Sequence, residues 1–418
     1  MNRTKNKIEL ITGLDIGSTA VRIAIGQQSF GEKGVELQIV GAVEVPAEGI
    51  NRGAISSIEE CVSSISNALE QAERLVGVPI EHAWVGISGT HIESQESRGV
   101  VAVAKSNGEI AEEDVARAVE ASRTVATPLN YEILHVLPRS FTVDGQTGIK
   151  DPVGMTGIRL EVETKIIQGV TQHIKNLTKA VYRTGIDIDD LVLSILAVGD
   201  TVVTSRQKDL GVAVVNIGGS TTSMIVYEEG DIIHTAVLPI GSEHITNDLA
   251  IGLRSPIDVA ERIKIEYGAC MPKNISKKEM VDLSSVGGGA SETVELKYIA
   301  EIIGARMEEI LERINNELMK IGRSGLLPAG IVFTGGGAKL SGLIDLSKEK
   351  NRLPASLGYP IDLVSITDKV NNLSFATAIG LVKWGANINQ RGRGRQSRIK
   401  SVERVSGQVK NWFKSLVP

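Results

Sequence analysis

Asp15-Ile16-Gly17-Ser18-Thr19 returns roughly 200 residues later as Asn216-Ile217-Gly218-Gly219-Ser220-Thr221-Thr222. Each copy is entered by a strand-like run, at 11–14 and 211–215, of the β-branched type that suits a pleated sheet. In both loops glycine lets backbone N–H groups approach an anion closely, and Ser18, Thr19, Ser220 and Thr221 add hydroxyl donors. Two such turns can grip a polyphosphate from opposite sides. A third glycine run, Phe333-Thr334-Gly335-Gly336-Gly337-Ala338-Lys339, again follows a strand-like segment and reads as opening into a helix. A single Gly-rich turn says little, because such turns are common between strands. Three in one chain are read together as the walls of a phosphate-binding cleft.

The bulk numbers bound what surrounds that cleft. A chain of 418 residues expects about two to four domains. No apolar run reaches the ~18 residues that span a bilayer. The basic start, residues 1–7, leads straight into a strand rather than into an apolar signal core, so a cytoplasmic protein is expected. Cys61 and Cys270 are far apart and show no ligand pattern, so they read as buried thiols. His82, His91 and His135 show no metal-site spacing and are read as structural. Net charge is −5 but uneven: residues 391–418 carry eight Lys/Arg against Glu403 alone, a surplus of +7 that leaves −12 on the body. An acidic body argues against nucleic acid as a partner, and the basic tail points towards an anionic surface.

Along the chain, strand-like runs at 8–16, 21–26, 36–45 and 82–88 enclose one helix over 57–76, begun by Ser57 and ended by Gly77-Val78-Pro79. A stretch of different character follows, with strands near 99–104, 131–143 and 157–168 and an amphipathic helix led by Glu109 and running to about Val125. Its size is that of a small domain. Helices are expected over 171–185, 257–267 and 296–322, and 191–198 is an apolar segment ahead of the second loop. The alternation of strands and helices around three loops means an α/β architecture with a parallel or mixed sheet in each half.

These loops resemble the phosphate 1, phosphate 2 and adenosine motifs of the actin–Hsp70–sugar kinase superfamily. Most of the chain resembles the bacterial cell-division actin homologue family FtsA. Trp84-Val85-Gly86-Ile87-Ser88-Gly89-Thr90-His91-Ile92, with Ser97-Arg98-Gly99-Val100-Val101, is similar to the start of that family's inserted subdomain 1C. Ala260-Glu261-Arg262-Ile263-Lys264-Ile265-Glu266-Tyr267-Gly268 is similar to the adenosine-side helix of bacterial actins. Glu261 and Lys264 are one turn apart on one face, which suits ribose and base contacts or an ordinary surface ion pair. Ser374-Phe375-Ala376-Thr377-Ala378-Ile379-Gly380-Leu381 resembles the second hinge-crossing helix. The resemblance implies an actin-like two-lobed ATPase fold. Subdomain 1A would take 1–83, 165–194 and 360–388, subdomain 1C 84–164, subdomain 2A 195–242 and 325–359, and subdomain 2B 243–324. It implies ATP with Mg²⁺ held by Asp15, Gly17, Ser18, Thr19, Arg22, Asn216, Gly218, Gly219, Ser220, Thr221, Glu261, Lys264, Gly335, Gly336, Gly337 and Lys339.

Three departures bear on hydrolysis. Asn216 stands where many superfamily members have an Asp that places magnesium and the attacking water, and an amide cannot serve as a base. Ser194 falls where relatives carry a water-orienting Glu. Ala20 takes the slot of a Lys usual in the first loop, and Arg22, on the same strand face, is the candidate replacement cation. Asp15 remains as the loop carboxylate able to hold Mg²⁺ through water. ATP binding with slow or absent hydrolysis is expected.

The tail begins with a Gly/Arg-rich basic linker, 389–401. Val402, Val405, Val409, Trp412, Phe413 and Leu416 then recur at helical spacing, with Arg404, Lys410 and Lys414 off that stripe. Over 402–418 this reads as an amphipathic helix of about four turns, ~22 Å long, lying in the headgroup plane of an anionic membrane. The resemblance further implies actin-like self-assembly, the C-terminal peptide of the tubulin-like FtsZ as partner, other divisome proteins, and a place on the inner face of the cell membrane at the division site. Ala300-Glu301 and Arg306 match its partner-binding helix, Arg306 being the candidate contact for an acidic peptide. The same fold also suits a PilM-like platform of type IV pilus assembly, which the basic tail disfavours. It suits a small-molecule kinase as well, which would need a cleft carboxylate base that neither Asn216 nor Ser194 supplies.

Overall fold

The computed structural model describes residues 9–31, 34–124, 128–276, 278–283 and 293–396. Strands β1 (Glu9–Ile16), β2 (Ala20–Gly31) and β3 (Gly34–Pro46) make an antiparallel meander, followed by the short hairpin of β4 (Ile50–Asn51) and β5 (Ala54–Ile55). Helix α1 (Ile58–Val76) starts where Ser57 Oγ accepts the N–H of Glu60 and stops at Gly77, whose φ of 75° only glycine adopts cheaply. Its buried Cys61, Ile65, Ala68, Leu69 and Ala72 form one face against the meander.

β6 (His82–Ile87) returns parallel to β1. The chain then leaves the sheet to build β7 (Ile92–Ala102), α2 (Glu112–Ser122), β8 (Tyr131–Val143), β9 (Gln146–Ile149) and β10 (Arg159–Val170). α2 begins three residues later than the sequence suggests. Glu109 and Ile110 are held in extended backbone by Thr156 and Met155, and the Asp114 carboxylate accepts the N–H groups of Ala111 and Ala104. Next come α3 (Thr171–Tyr182), β11 (Asp187–Leu193), α4 (Ser194–Val202) and α5 (Ser205–Leu210), so the apolar run at 191–198 is split between a strand and a helix. A second meander follows: β12 (Val212–Ile217), β13 (Thr222–Glu228) and β14 (Asp231–Leu238). Then come α6 (Ser242–Gly252), α7 (Ile257–Tyr267), the β15 (Met280–Asp282) and β16 (Thr293–Glu295) ladder, and α8 (Leu296–Lys320). β17 (Ile331–Thr334), α9 (Leu343–Asn351), β18 (Ala355–Leu357), β19 (Val364–Ser365) and α10 (Ala376–Gln396) complete the described chain.

The two large sheets are copies. One runs β11-β6-β1-β2-β3-β19 and the other β18-β17-β12-β13-β14. In each, two parallel neighbours lead to the strand before the phosphate-type turn, and an antiparallel meander continues beyond it. Helices α4 and α10 cross between the sheets within one apolar cluster, which takes Ile11, Ala24 and Trp84 from one side and Val214, Ile225 and Tyr227 from the other. Small residues set the approach. A Cβ on Gly380 would stand 2.5 Å from the Ala197 carbonyl, and one on Gly13 would stand 2.2 Å from that of Ala378.

The insert forms its own sheet, β7-β10-β8-β9, with its own core around Val115, Val119, Phe141 and Leu160. α2 lies so close on β7 that a Cβ at Gly99 would overlap the Ala118 carbonyl. Its limits differ from the expected 84–164. Trp84 belongs to β6 and pairs with Gly13 of the first sheet, while β10 continues past 164 to Val170 in unbroken register with β7. Two lysines tie the insert to the second lobe: Lys165 Nζ donates to the Ile233 carbonyl at 2.7 Å, and Lys150 pairs with Asp231. At the other end, α10 runs through Gln396, into the stretch read as a flexible linker from 389. Each added helical residue gains a backbone hydrogen bond, which offsets the glycine cost of about 1 kcal/mol per residue.

A candidate nucleotide cleft between matched turns

The two phosphate-type loops are the same turn. Gly17 N–H donates to Ala20 O at 3.1 Å, and Gly218 N–H donates to Thr221 O at 2.9 Å. A side chain on either glycine would sit 2.9 Å from that carbonyl, which explains why neither loop carries one there. The loops meet across the lobes, with Thr19 packed so close to Gly219 that a Cβ there would lie 2.5 Å from its methyl group. Behind them the Ser88 and Ser223 hydroxyls share a 3.1 Å hydrogen bond. The N–H groups of Ser242 and Glu243 at the start of α6 each donate to a second-loop carbonyl, those of Gly218 and Gly219, at 2.9 Å, and Ser220 Oγ donates to the Glu243 carboxylate.

The third run docks on the second. Gly335 has φ 89° and ψ 171°, a backbone region essentially reserved for glycine. A Cβ there would lie 2.2 Å from Asn216 Oδ1, and one on Gly337 would lie 2.4 Å from the Ile217 side chain. Gly336 differs, being exposed, and a Cβ on it would meet only Ser374 Oγ, at 3.5 Å. The expected helix after it is a single 3-10 turn, Gly336–Lys339. Lys339 is exposed, and its ammonium is held below the usual lysine range chiefly by desolvation, with Glu44 opposing and Arg22 adding to the shift.

Asp15 pairs in register with Arg22, and its carboxylate makes no hydrogen bond among the described residues. Burial raises its carboxyl to about 6, with Arg22 holding it down in part. Arg22 Nε donates to Glu44 Oε2 at 2.6 Å on the adjacent strand, while its Nη1 reaches 3.9 Å from the Cβ position of Gly17. The guanidinium is thus steered towards the first loop by Glu44, which the sequence reading missed. Asn216 Nδ2 donates to Thr377 Oγ1 of α10 at 3.3 Å, tying the second loop to the crossing helix.

Two expected contacts are differently employed. Lys264 is buried, and its ammonium donates to Glu261 Oε2 (2.6 Å), Thr246 Oγ1 (2.8 Å) and the Ser242 carbonyl (3.3 Å). All three protons are engaged, so Lys264 braces α6 against α7, and Glu261 keeps only its second oxygen for a ligand. Arg306 is likewise held, with Nε and Nη2 on Asp248 at 2.6 and 2.9 Å and Nη1 on Glu309. An incoming carboxylate meets a guanidinium already compensated. Glu301 is exposed. The tail residues Val402, Arg404, Val405, Val409, Lys410, Trp412, Phe413, Lys414 and Leu416 lie outside the described residues. Among the histidines, His135 fits the structural reading, since its Nε2 accepts the Leu193 N–H at 2.9 Å. Cys61 and Cys270 are both free and buried.

Duplicated sheets, two crossing helices and facing glycine turns define the actin-like class of two-lobed proteins. Solved structures agree on the fold. A PilM–PilN type IV pilus biogenesis complex matches at TM-score 0.65 and 16% identity over 90% of this chain and 98% of its own, and MreB5 of Spiroplasma citri bound to ADP matches at 0.52 and 11% over 93% and 99%. The profile described as "Cell division protein FtsA" matches residues 213–380, and that of the "SHS2 domain inserted in FTSA" matches 89–168. Cell division protein FtsA of Pseudomonas aeruginosa is 36% identical over 90% of this chain and 89% of its own length. The corresponding values are 37%, 97% and 89% for Bacillus subtilis, and 32%, 98% and 96% for Escherichia coli K12. The chain belongs to the FtsA family of actin-like cell-division proteins.

Asp15 sets a pH dependence with a definite sign. Its folded pKa is raised above the ordinary 3.8, so its contribution favours the folded state when protonated and is lost as pH rises from about 4 to about 6. Any cation held by this carboxylate follows the reverse course. Were a nucleotide held through a magnesium ion on Asp15, its binding would weaken as pH falls through 6, and Asp15→Asn would flatten that profile in a titration with a fluorescent ATP analogue. An unchanged profile in the variant would rule out a cation-holding role for Asp15.

Proposed function

We propose that this chain binds ATP with Mg²⁺ in the cleft, hydrolyses it slowly or not at all, and assembles into actin-like filaments that hold FtsZ at the cytoplasmic membrane. The observation that carries this reading is the pair of matched turns meeting across the lobes beside an uncommitted carboxylate, Asp15. The glycine turns and Ser18, Thr19, Ser220 and Thr221 would cradle the phosphates, Arg22 and Lys339 would neutralise them, and Glu261 would face the nucleoside end. Magnesium would supply electrostatic stabilisation of the phosphates. Slow turnover follows from the donor set. Asn216 offers an amide bound to Thr377, and Ser194 is buried at the start of α4 beneath Gly86. Neither is a base.

No helix among the described residues is long and apolar enough to cross a membrane. Membrane attachment would fall to the basic amphipathic sequence 402–418, weak for one chain and firm for a filament through avidity. The FtsZ C-terminal peptide would lie on the helical region 243–324. There Ile251, Ile257 and Tyr298 are exposed apolar groups, and Arg306 would exchange Asp248 or Glu309 for the peptide's carboxylates. Other division proteins would join through the assembled filament.

Sedimentation with ATP and liposomes, with and without FtsZ, tests the whole reading. FtsZ should pellet with vesicles only when this protein and ATP are both present. A panel of sugars and small acids should not raise ATP turnover. If one of them does, the chain is a kinase. For hydrolysis itself, Asn216→Asp is expected to raise the magnesium-dependent rate by about tenfold or more, since a positioned base contributes ~10²–10⁴-fold when ideally placed. ATP affinity should stay close to that of the parent. A parent rate already fast would defeat the assignment of Asn216.

A further inference from the structure

A pocket of about 330 Å³ opens between the β4–β5 hairpin, the loop after β6 and the first turn of α3, with Ala54 and Ile55 forming part of its wall. Its polar lining is Asn51, Arg52, Ser56, Thr90, His91 and His173. Every one of these can donate a hydrogen bond, and no carboxylate lines the cavity. His91 is only 9% exposed, yet neither of its ring nitrogens has a partner, and Nδ1 of His173 is buried and unpartnered as well. The two rings stand 4.7 Å apart between centroids, tilted by 40°. A neutral imidazole carries one N–H donor and one acceptor nitrogen, so each buried nitrogen left unmatched costs about 1–3 kcal/mol, and an ion that accepts from the N–H recovers that nitrogen's share.

The helix adds to the same field. His173 is the third residue of α3, whose preceding Val170 provides no side-chain cap and whose first turn has no acidic residue. A helix start of this kind carries roughly half a positive charge. Burial, with the His173 ring adding, pushes His91 down to about 4. The charged group facing the pair from the hairpin is Arg52, and the titratable one from α3 is His173 itself, so among the lining residues no carboxylate offsets them. A divalent metal fits poorly. Two imidazoles without carboxylate or thiolate fall short of the three or four protein ligands such ions recruit.

We propose that this cavity binds a small tetrahedral oxyanion of the phosphate class, with His91 and His173 as its principal donors and Arg52, Ser56 and Thr90 completing the shell. The ion could arrive free or as the phosphate of a small phosphomonoester. Binding an anion beside His91 favours the imidazolium, so occupancy takes up a proton and strengthens as pH falls.

The full chain, with its histidine rings isotopically labelled, is titrated by NMR with sulfate, inorganic phosphate, glycerol phosphate, acetate and chloride at constant ionic strength. Sulfate matters because it does not itself titrate near neutrality. The ring signals of His91 and His173 should move saturably with the tetrahedral ions, at a dissociation constant of about 1 mM or tighter, and the His91 titration should shift upward by more than one pH unit. Acetate and chloride should leave both unmoved. His91→Phe and His173→Gln should each weaken binding at least tenfold while a fluorescent ATP analogue still binds, which reports an intact fold. Equal responses to all three tetrahedral ions support recognition of the oxyanion itself, and a response confined to glycerol phosphate supports a phosphorylated metabolite. Absence of saturation by any of them, equal response to chloride, or undiminished binding in both variants would overturn the proposal.

Discussion

Gly336→Asp is expected to yield a folded protein that no longer binds a fluorescent ATP analogue. Of the three glycines in the third run, this one alone has room. A side chain at Gly336 meets only Ser374 Oγ at 3.5 Å, whereas Gly335 and Gly337 are pressed against Asn216 and Ile217. The aspartate therefore costs the fold little and projects from an exposed turn into the space read as the nucleotide's. A carboxylate about 5 Å from one phosphate charge, at an effective dielectric near 20, repels by roughly 3 kcal/mol. That is more than a hundredfold in affinity before any steric clash. Gly335→Ala makes the control. It breaks a backbone conformation reserved for glycine and overlaps Asn216, so it should lower stability by about 1–3 kcal/mol. Nucleotide binding lost in the first variant with its melting temperature kept, against lowered melting in the second, is the pattern required. A folded Gly336→Asp protein with parental affinity would detach the third run from the nucleotide.

Replacing Trp412 and Phe413 together by Glu is expected to bring liposome co-sedimentation down to background. These are the two largest groups on the stripe, and shallow burial of both contributes on the order of 2–4 kcal/mol. Two added negative charges also cancel part of an attraction of about 1 kcal/mol per basic residue near an anionic leaflet. The joint loss, about 4 kcal/mol, is near a thousandfold in partitioning. ATP binding by the body should be untouched. Raising salt should weaken the parent only in part, because apolar insertion is not screened as charge is. A double variant that still pellets with vesicles, or that loses ATP binding instead, would make the tail a docked helix and end its role as an anchor.

The turns were legible in the sequence because their chemistry is local. Glycine, hydroxyl and a β-branched run occupy adjacent positions, and the structure closes both loops with the same hydrogen bond. Side-chain allegiance was less legible because it depends on carboxylates far away in the chain. Arg306 is claimed by Asp248, 58 residues off, and Arg22 by Glu44 on the next strand. Lys264 shows the same effect through burial: α6 supplies two of its acceptors, Thr246 Oγ1 and the Ser242 carbonyl, while Glu261 stays partly exposed. The insert's edges moved for a related reason, since strand pairing decides to which sheet Trp84 belongs. The histidine cavity left no signature, because its walls come from residues 51–56, 90–91 and 173 and meet only when folded.

The crossing helix α10 has a consequence for biogenesis. Its Ala378 carbonyl and Val382 side chain lie on Gly13 and Gly26 so closely that a methyl group on either glycine would overlap them. The strands beneath are the first described elements to leave the ribosome, and their cover is the last. α1 can shield the opposite face of that sheet early, and the second lobe has all five of its sheet strands between residues 212 and 357. The inner face of the first sheet, with Ile11 and Ala24, must wait for α10, which begins only at Ala376. Until α10 has been made, that apolar face lacks its cover, and the long separation in sequence between β1 and α10 predicts slow closure of the first lobe.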